Sequence, residues 1–211
     1  MKVLSACVAG TILAAAATLL AQQTPPAPAA PQLPKGQMPE LGRPTQTTDT
    51  VPLFNFDEYF VGGKWTFEWL VPESPLGPAG TITGTTSYTA TGEDGKFYQA
   101  RTEATGPAGK FTITERIAYQ KESKTITRYV SNSRGFSYIQ TAVVGGDLGG
   151  FYNMYFESEP FTFNGKSIRI RDAYRLVSPV NYRVATTISI DGGRFTNYGN
   201  PWWQKDISGA K

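Results

Sequence analysis

The sequence predicts an all-β protein, an antiparallel up-and-down barrel of about ten strands behind one short helix. Two observations carry this. From Leu53 onward, turn-forming clusters recur every ~8 to 15 residues, the rhythm of consecutive hairpins. The segment VGGKWTFEW, residues 61 to 69, sets Trp65, Phe67 and Trp69 at alternate positions, as a strand does when one face meets a core. A meander of this length has two open edges, and closing it on itself removes both.

The elements follow in order. Residues 1 to 21, MKVLSACVAGTILAAAATLLA, join a basic start to an apolar run, the pattern of a secretory signal peptide. LSAC, 4 to 7, resembles a lipid-attachment box, but too little sequence precedes Cys7 to hold an apolar region. Residues 22 to 52 hold eight of the fifteen prolines and no aromatic residue. Such a segment buries too little apolar surface to offset its ordering entropy, so it reads as a disordered linker, or else as a proline-motif ligand for a partner. No later apolar run approaches the ~20 residues of a spanning helix. The mature chain is therefore expected to be exported, periplasmic or secreted, with no membrane span.

Residues 53 to 205 form the expected barrel domain, followed by a tail, 206 to 211. In LFNFDEYF, Leu53, Phe56 and Phe60 fall at helical spacing, and Gly62 and Gly63 supply a stop. Strands are expected near 64–71, 80–91, 96–105, 110–120, 124–131, 135–144, 150–157, 167–176, 181–190 and 194–199. Asp94-Gly95, Asn164-Gly165 and Asp191-Gly192 suit tight hairpins, because these residues tolerate positive φ. The strand 80–91 is too polar to face lipid, which argues against an outer-membrane barrel.

Gly63-Lys64-Trp65, at the start of the first strand and after a short helix, resembles the GxW signature of the lipocalins and wider calycins. The nearest resemblance is to the uncharacterised exported lipocalin-like domains of bacteria. It implies that Trp65, with Gly63, closes the base of the barrel under the last strands. A TDY-like turn near the seventh strand and the cysteine pair of many secreted lipocalins are missing. Haem-binding barrels of similar layout use a histidine that this chain lacks.

Absent residue types narrow the chemistry. The chain has no histidine, and its single cysteine, Cys7, leaves with the signal peptide. Ser-His-Asp and Cys-His catalysis, His- or Cys-ligated zinc and His-ligated haem are excluded. No cofactor, metal or catalytic residue is assigned. Without Lys2 the chain carries 19 basic and 17 acidic residues, with no basic run to suggest nucleic acid. A monomer is expected.

The candidate site comes from polar residues that share a face with apolar ones. Glu115 alternates with Phe111, Ile113, Ile117 and Tyr119; Arg128 with Ile126 and Val130; Asp172 with Ile168, Ile170, Tyr174 and Leu176. By the same rule Arg101 and Glu103 follow Phe97. If these faces point inward, the barrel holds Arg101, Glu103, Glu115, Arg128 and Asp172 beside Tyr119 and Tyr174. Buried charges require partners, so a mixed-sign cluster follows. Three roles remain open: a structural ion-pair network, polar anchors of a small, partly apolar ligand, or a carboxylate-dependent enzyme. GGDLGG, 145 to 150, lacks the following helix of a phosphate loop and reads as a hairpin loop. Trp202 and Trp203 either pack over the barrel end or form a ligand lid or partner contact, the latter pointing to an envelope interaction module.

Overall fold

The computed structural model of the protein describes residues 54–92, 94–146 and 151–207. The expected signal peptide, the linker, Leu53 and most of the tail lie outside the described residues. So does 147–150 of the GGDLGG loop.

Among the described residues, one helix, α1 (Phe56–Phe60), precedes the strands. Asn55 caps it, its Oδ1 accepting from the Asp57 and Glu58 backbone N–H groups. Gly62 and Gly63 end it with φ of 78° and 84°, a conformation other residues resist. The strands are β1 (Trp65–Val71), β2 (Gly80–Ala90), β3 (Phe97–Gly106), β4 (Gly109–Gln120), β5 (Thr125–Asn132) and β6 (Phe136–Gly145). After them come β7 (Tyr152–Ser158), β8 (Phe161–Phe163), β9 (Lys166–Ser178), β10 (Asn181–Ile190), β11 (Thr196–Gly199) and β12 (Trp202–Lys205).

The ladder runs antiparallel from β1 through β7, then to β9, β10 and β12, and β12 pairs back onto β1. That ring of ten is the expected closed barrel. Two short strands stand where turns or a loose end were expected, each for the same reason. β7 and β8 both pair with β9, and β11 and β12 both pair with β10. Each couple is one strand interrupted at a proline, Pro160 or Pro201, whose ring nitrogen cannot donate to the ladder.

Alternation sorts the side chains. Trp65 and Phe67 on β1 are buried with Val71, while Leu70 is 72% exposed. The interior holds two apolar clusters. One gathers Phe54, Phe56 and Phe60 of the helical segment with Trp65, Tyr98, Ile126 and Tyr182 and plugs one end. The other contains Phe67, Leu76, Ile82, Phe111, Ile170 and Ile188. The plug is bonded to the wall at several points. Trp65 Nε1 donates to Phe60 O at 3.0 Å, Tyr98 Oη to Asp57 Oδ2 at 2.9 Å, and Tyr119 Oη to Phe54 O at 3.1 Å.

The expected inward face of β3 is reversed. Tyr98, Ala100, Thr102 and Ala104 point in, and Phe97 is 57% exposed. Arg101 and Glu103 therefore lie outside, where they pair with each other at 3.2 Å in solvent. Phe97 misleads because it is the first residue of its strand, where an aromatic ring can rest on the outer rim. Choosing the wrong parity there moves every residue of the strand to the other face.

Candidate functional site

A polar layer crosses the barrel where the two apolar clusters meet. It is built from three cross-strand pairs: Thr86 with Thr102, Arg128 with Gln140, and Asp172 with Thr186, each pair directly opposite in register. Each pair is also hydrogen-bonded, at 2.8 Å between the threonine hydroxyls, 2.8 Å from Arg128 Nε to Gln140 Oε1, and 2.7 Å from Thr186 Oγ1 to Asp172 Oδ1. Glu115 adds a further inward carboxylate from β4.

Arg128 is the centre of this layer. Its Nη1 donates to Glu115 Oε2 at 3.2 Å and Tyr174 Oη at 2.6 Å, and its Nη2 to Asp172 Oδ2 at 2.7 Å and Gln140 Oε1 at 2.5 Å. The guanidinium also lies 4.3 Å from the Phe156 ring centre. Burial alone would lower the Arg128 pKa, but Tyr174, Glu115 and Asp172 around it hold it well above the ordinary value. Arg128 is therefore a fixed cation at any ordinary pH. Burial likewise raises the hydroxyls of Tyr88, Tyr138, Tyr174 and Tyr182, which stay neutral.

Beside this layer, on the side away from the helical plug, lies a cavity of about 120 Å³. Glu115, Arg128 and Asp172 line its floor; Phe67, Ile82 and Trp203 are among its walls; Leu76 and Arg134 stand at its mouth. A water in the liquid fills roughly 30 Å³, so the space exceeds a few stray waters. Leu76, in the β1–β2 connection, is the stopper. Arg134 Nη1 donates to Leu76 O at 3.1 Å, Asn164 Nδ2 to Pro75 O at 2.9 Å, and Ser74 Oγ to Tyr198 Oη at 3.3 Å.

The structure thus brings Glu115, Arg128, Asp172 and Tyr174 together and leaves Arg101 and Glu103 outside. Tyr119 is buried, but beside the helical plug and away from the cavity. Trp65 is fully buried against Tyr182, with Lys205 over its ring, and Gly63 lets Lys205 approach. The two late tryptophans part company. Trp203 stacks between Phe67 and Tyr182, at ring separations of 4.7 and 5.5 Å, and forms cavity wall. Trp202 is 44% exposed on the outer face beside Arg183.

Sequence reasoning missed Gln140, Thr86, Thr102 and Thr186. Gln140 carried a signal, since it shares its face with Ala142 and Val144. The threonines carried none, because strands use threonine on either face. Among the described residues, no group of His, Cys, Asp and Glu could hold a metal ion, and no helix is long and apolar enough to cross a membrane.

No family model matches the sequence. No curated protein matches it either. The fold is similar to the crystal structure of Rv2717c from M. tuberculosis, with a TM-score of 0.59 at 10% identity, covering 75% of this chain and 99% of that one. At that identity the likeness is one of fold.

Proposed function

We propose that the protein is an exported, lipocalin-like barrel that binds one small, partly apolar molecule without covalent chemistry. The observation that carries this reading is the 120 Å³ cavity, apolar at its walls and polar at its floor. Small-molecule sites combine those features, although drug-sized ligands use ~300 Å³ or more. An engineered apolar cavity of ~150 Å³ admits benzene. The ligand is therefore no larger than a single small ring, and long-chain lipids are excluded unless the walls move.

Native mass spectrometry of the protein from an exporting host tests the reading. A small bound mass that leaves on denaturation supports it. A bare mass, with no Trp203 fluorescence response to small apolar molecules, overturns it in favour of an envelope interaction module.

A further inference from the structure

The floor of the cavity is not electrostatically neutral, and among the described residues the lining groups that lack a hydrogen-bond partner include Glu115 Oε1 and the neutral Tyr138 hydroxyl. A guanidinium has five N–H donors, and each Arg128 donor is used within the protein, on Gln140 twice and on Glu115, Tyr174 and Asp172. None is left for an anionic ligand. Asp172 has both oxygens engaged: Oδ1 accepts from Thr186, and Oδ2 from Arg128 and Gln140 Nε2. Glu115 differs. Its Oε2 accepts one bond, from Arg128 at 3.2 Å, and its Oε1 accepts none from any described residue. Yet Glu115 is only 9% exposed and lines the cavity. A carboxylate oxygen that faces so enclosed a space gains from a donor that the protein itself does not supply. The formal charge of the floor, one guanidinium against two carboxylates, favours a cation.

We propose that the molecule taken by this cavity is a small aliphatic amine, its ammonium group donating to Glu115 Oε1 and its hydrocarbon body lying against the apolar walls. This rests on the reading that the barrel binds a small molecule. Arg134 is the opposing charge, since it also lines the cavity. It stands at the mouth, however, half-buried, with its guanidinium 3.8 Å over the Phe111 ring. Phe111 and Glu115 stand four positions apart on β4, about 13 Å at strand rise. A screened cation at that range competes weakly with direct contact at the floor. By proportion to the benzene cavity, the volume admits a body of about five heavy atoms.

Three molecules with one four-carbon skeleton separate the alternatives: isobutylammonium, isobutanol and isobutyrate, each titrated into the protein at neutral pH. Amide chemical shifts of β4, β5 and β9 report the floor, and xenon reports any accessible apolar space. The expected result is isobutylammonium binding at least tenfold more tightly than either other compound, with a preference that Glu115→Gln abolishes. Should that variant not fold, the comparison of the three heads on the unaltered protein decides alone. Isobutanol equal to or tighter than the amine overturns the amine assignment and leaves a neutral-ligand barrel standing. Isobutyrate binding most tightly, with shifts centred on Arg134, does the same. Xenon binding without any of the three also overturns the amine. No response to any compound, xenon included, overturns both the amine and the binding barrel.

Discussion

Arg128 Nη2 and Asp172 Oδ2 lie 2.7 Å apart inside the barrel, although their strands, β5 and β9, are not hydrogen-bonded neighbours. The ion pair is thus a crosslink between separate parts of the wall, made across the interior by the curl of the sheet through β6 and β7.

Replacing Arg128 by Met leaves the buried Glu115 and Asp172 facing each other's charge without their shared cation. Loss of one partner from a buried ionic cluster costs about 3–5 kcal/mol. Denaturant unfolding of R128M should show a loss of that size. A loss below about 1 kcal/mol would mean that solvent reaches the layer. Asp172→Asn keeps the hydrogen-bonding shape and should be the milder change.

Gly199 is a second constraint, on β11 beside the Pro201 interruption. Its φ is +119°, and a Cβ built there would stand 2.1 Å from Trp69 Nε1. Trp69 cannot retreat freely, because that nitrogen donates to Tyr198 O at 3.0 Å. Gly199→Ala therefore combines backbone strain with overpacking, each worth about 1–3 kcal/mol. A drop in melting temperature with altered tryptophan emission is expected; an unchanged melt would show that β11 moves aside without cost.

The sequence discloses inward faces where apolar residues are dense and obscures them where they are sparse. Trp65, Phe67 and Trp69 on β1, and Ile168, Ile170 and Leu176 on β9, mark their faces clearly, and Asp172 follows with its strand. On β3 the inward face is Tyr98, Ala100, Thr102 and Ala104, two of them small and one polar, while the outer face opens with Phe97. The wrong face then looks the more apolar, and Arg101 and Glu103 are misplaced together. The cavity was not legible at all. It depends on how far Leu76 and the aromatic walls fill the space, which is a matter of packing between distant strands rather than of alternation within one.

On the outer surface, Arg175 and Arg183 are directly opposed across β9 and β10. Like charges in that position destabilise a strand pair, by a few tenths to about 1 kcal/mol. Arg175→Glu turns the repulsion into an ion pair and should raise stability by about 0.5–1 kcal/mol over wild type. Arg175→Gln should fall between the two. Equal stability of the glutamate and glutamine variants would mean that the side chains do not meet.

The interior tyrosines set the alkaline limit of the fold. Burial pushes the Tyr119 hydroxyl up to about 12 from its ordinary 10.0. Burial also raises Tyr88, Tyr98, Tyr138, Tyr174, Tyr182 and Tyr198. A raised phenol keeps its proton in the folded chain after the unfolded chain has released it. Above pH ~10 the unfolded state therefore binds fewer protons, and stability falls as pH rises. Below that pH these groups bind protons equally in both states and contribute no pH dependence. The phenolate absorbance of these seven tyrosines and the far-ultraviolet ellipticity, followed together from pH 9 upward, should change in one cooperative transition, because the buried hydroxyls ionise on unfolding. Seven tyrosines titrating gradually while the ellipticity holds would show that water enters the barrel without opening it.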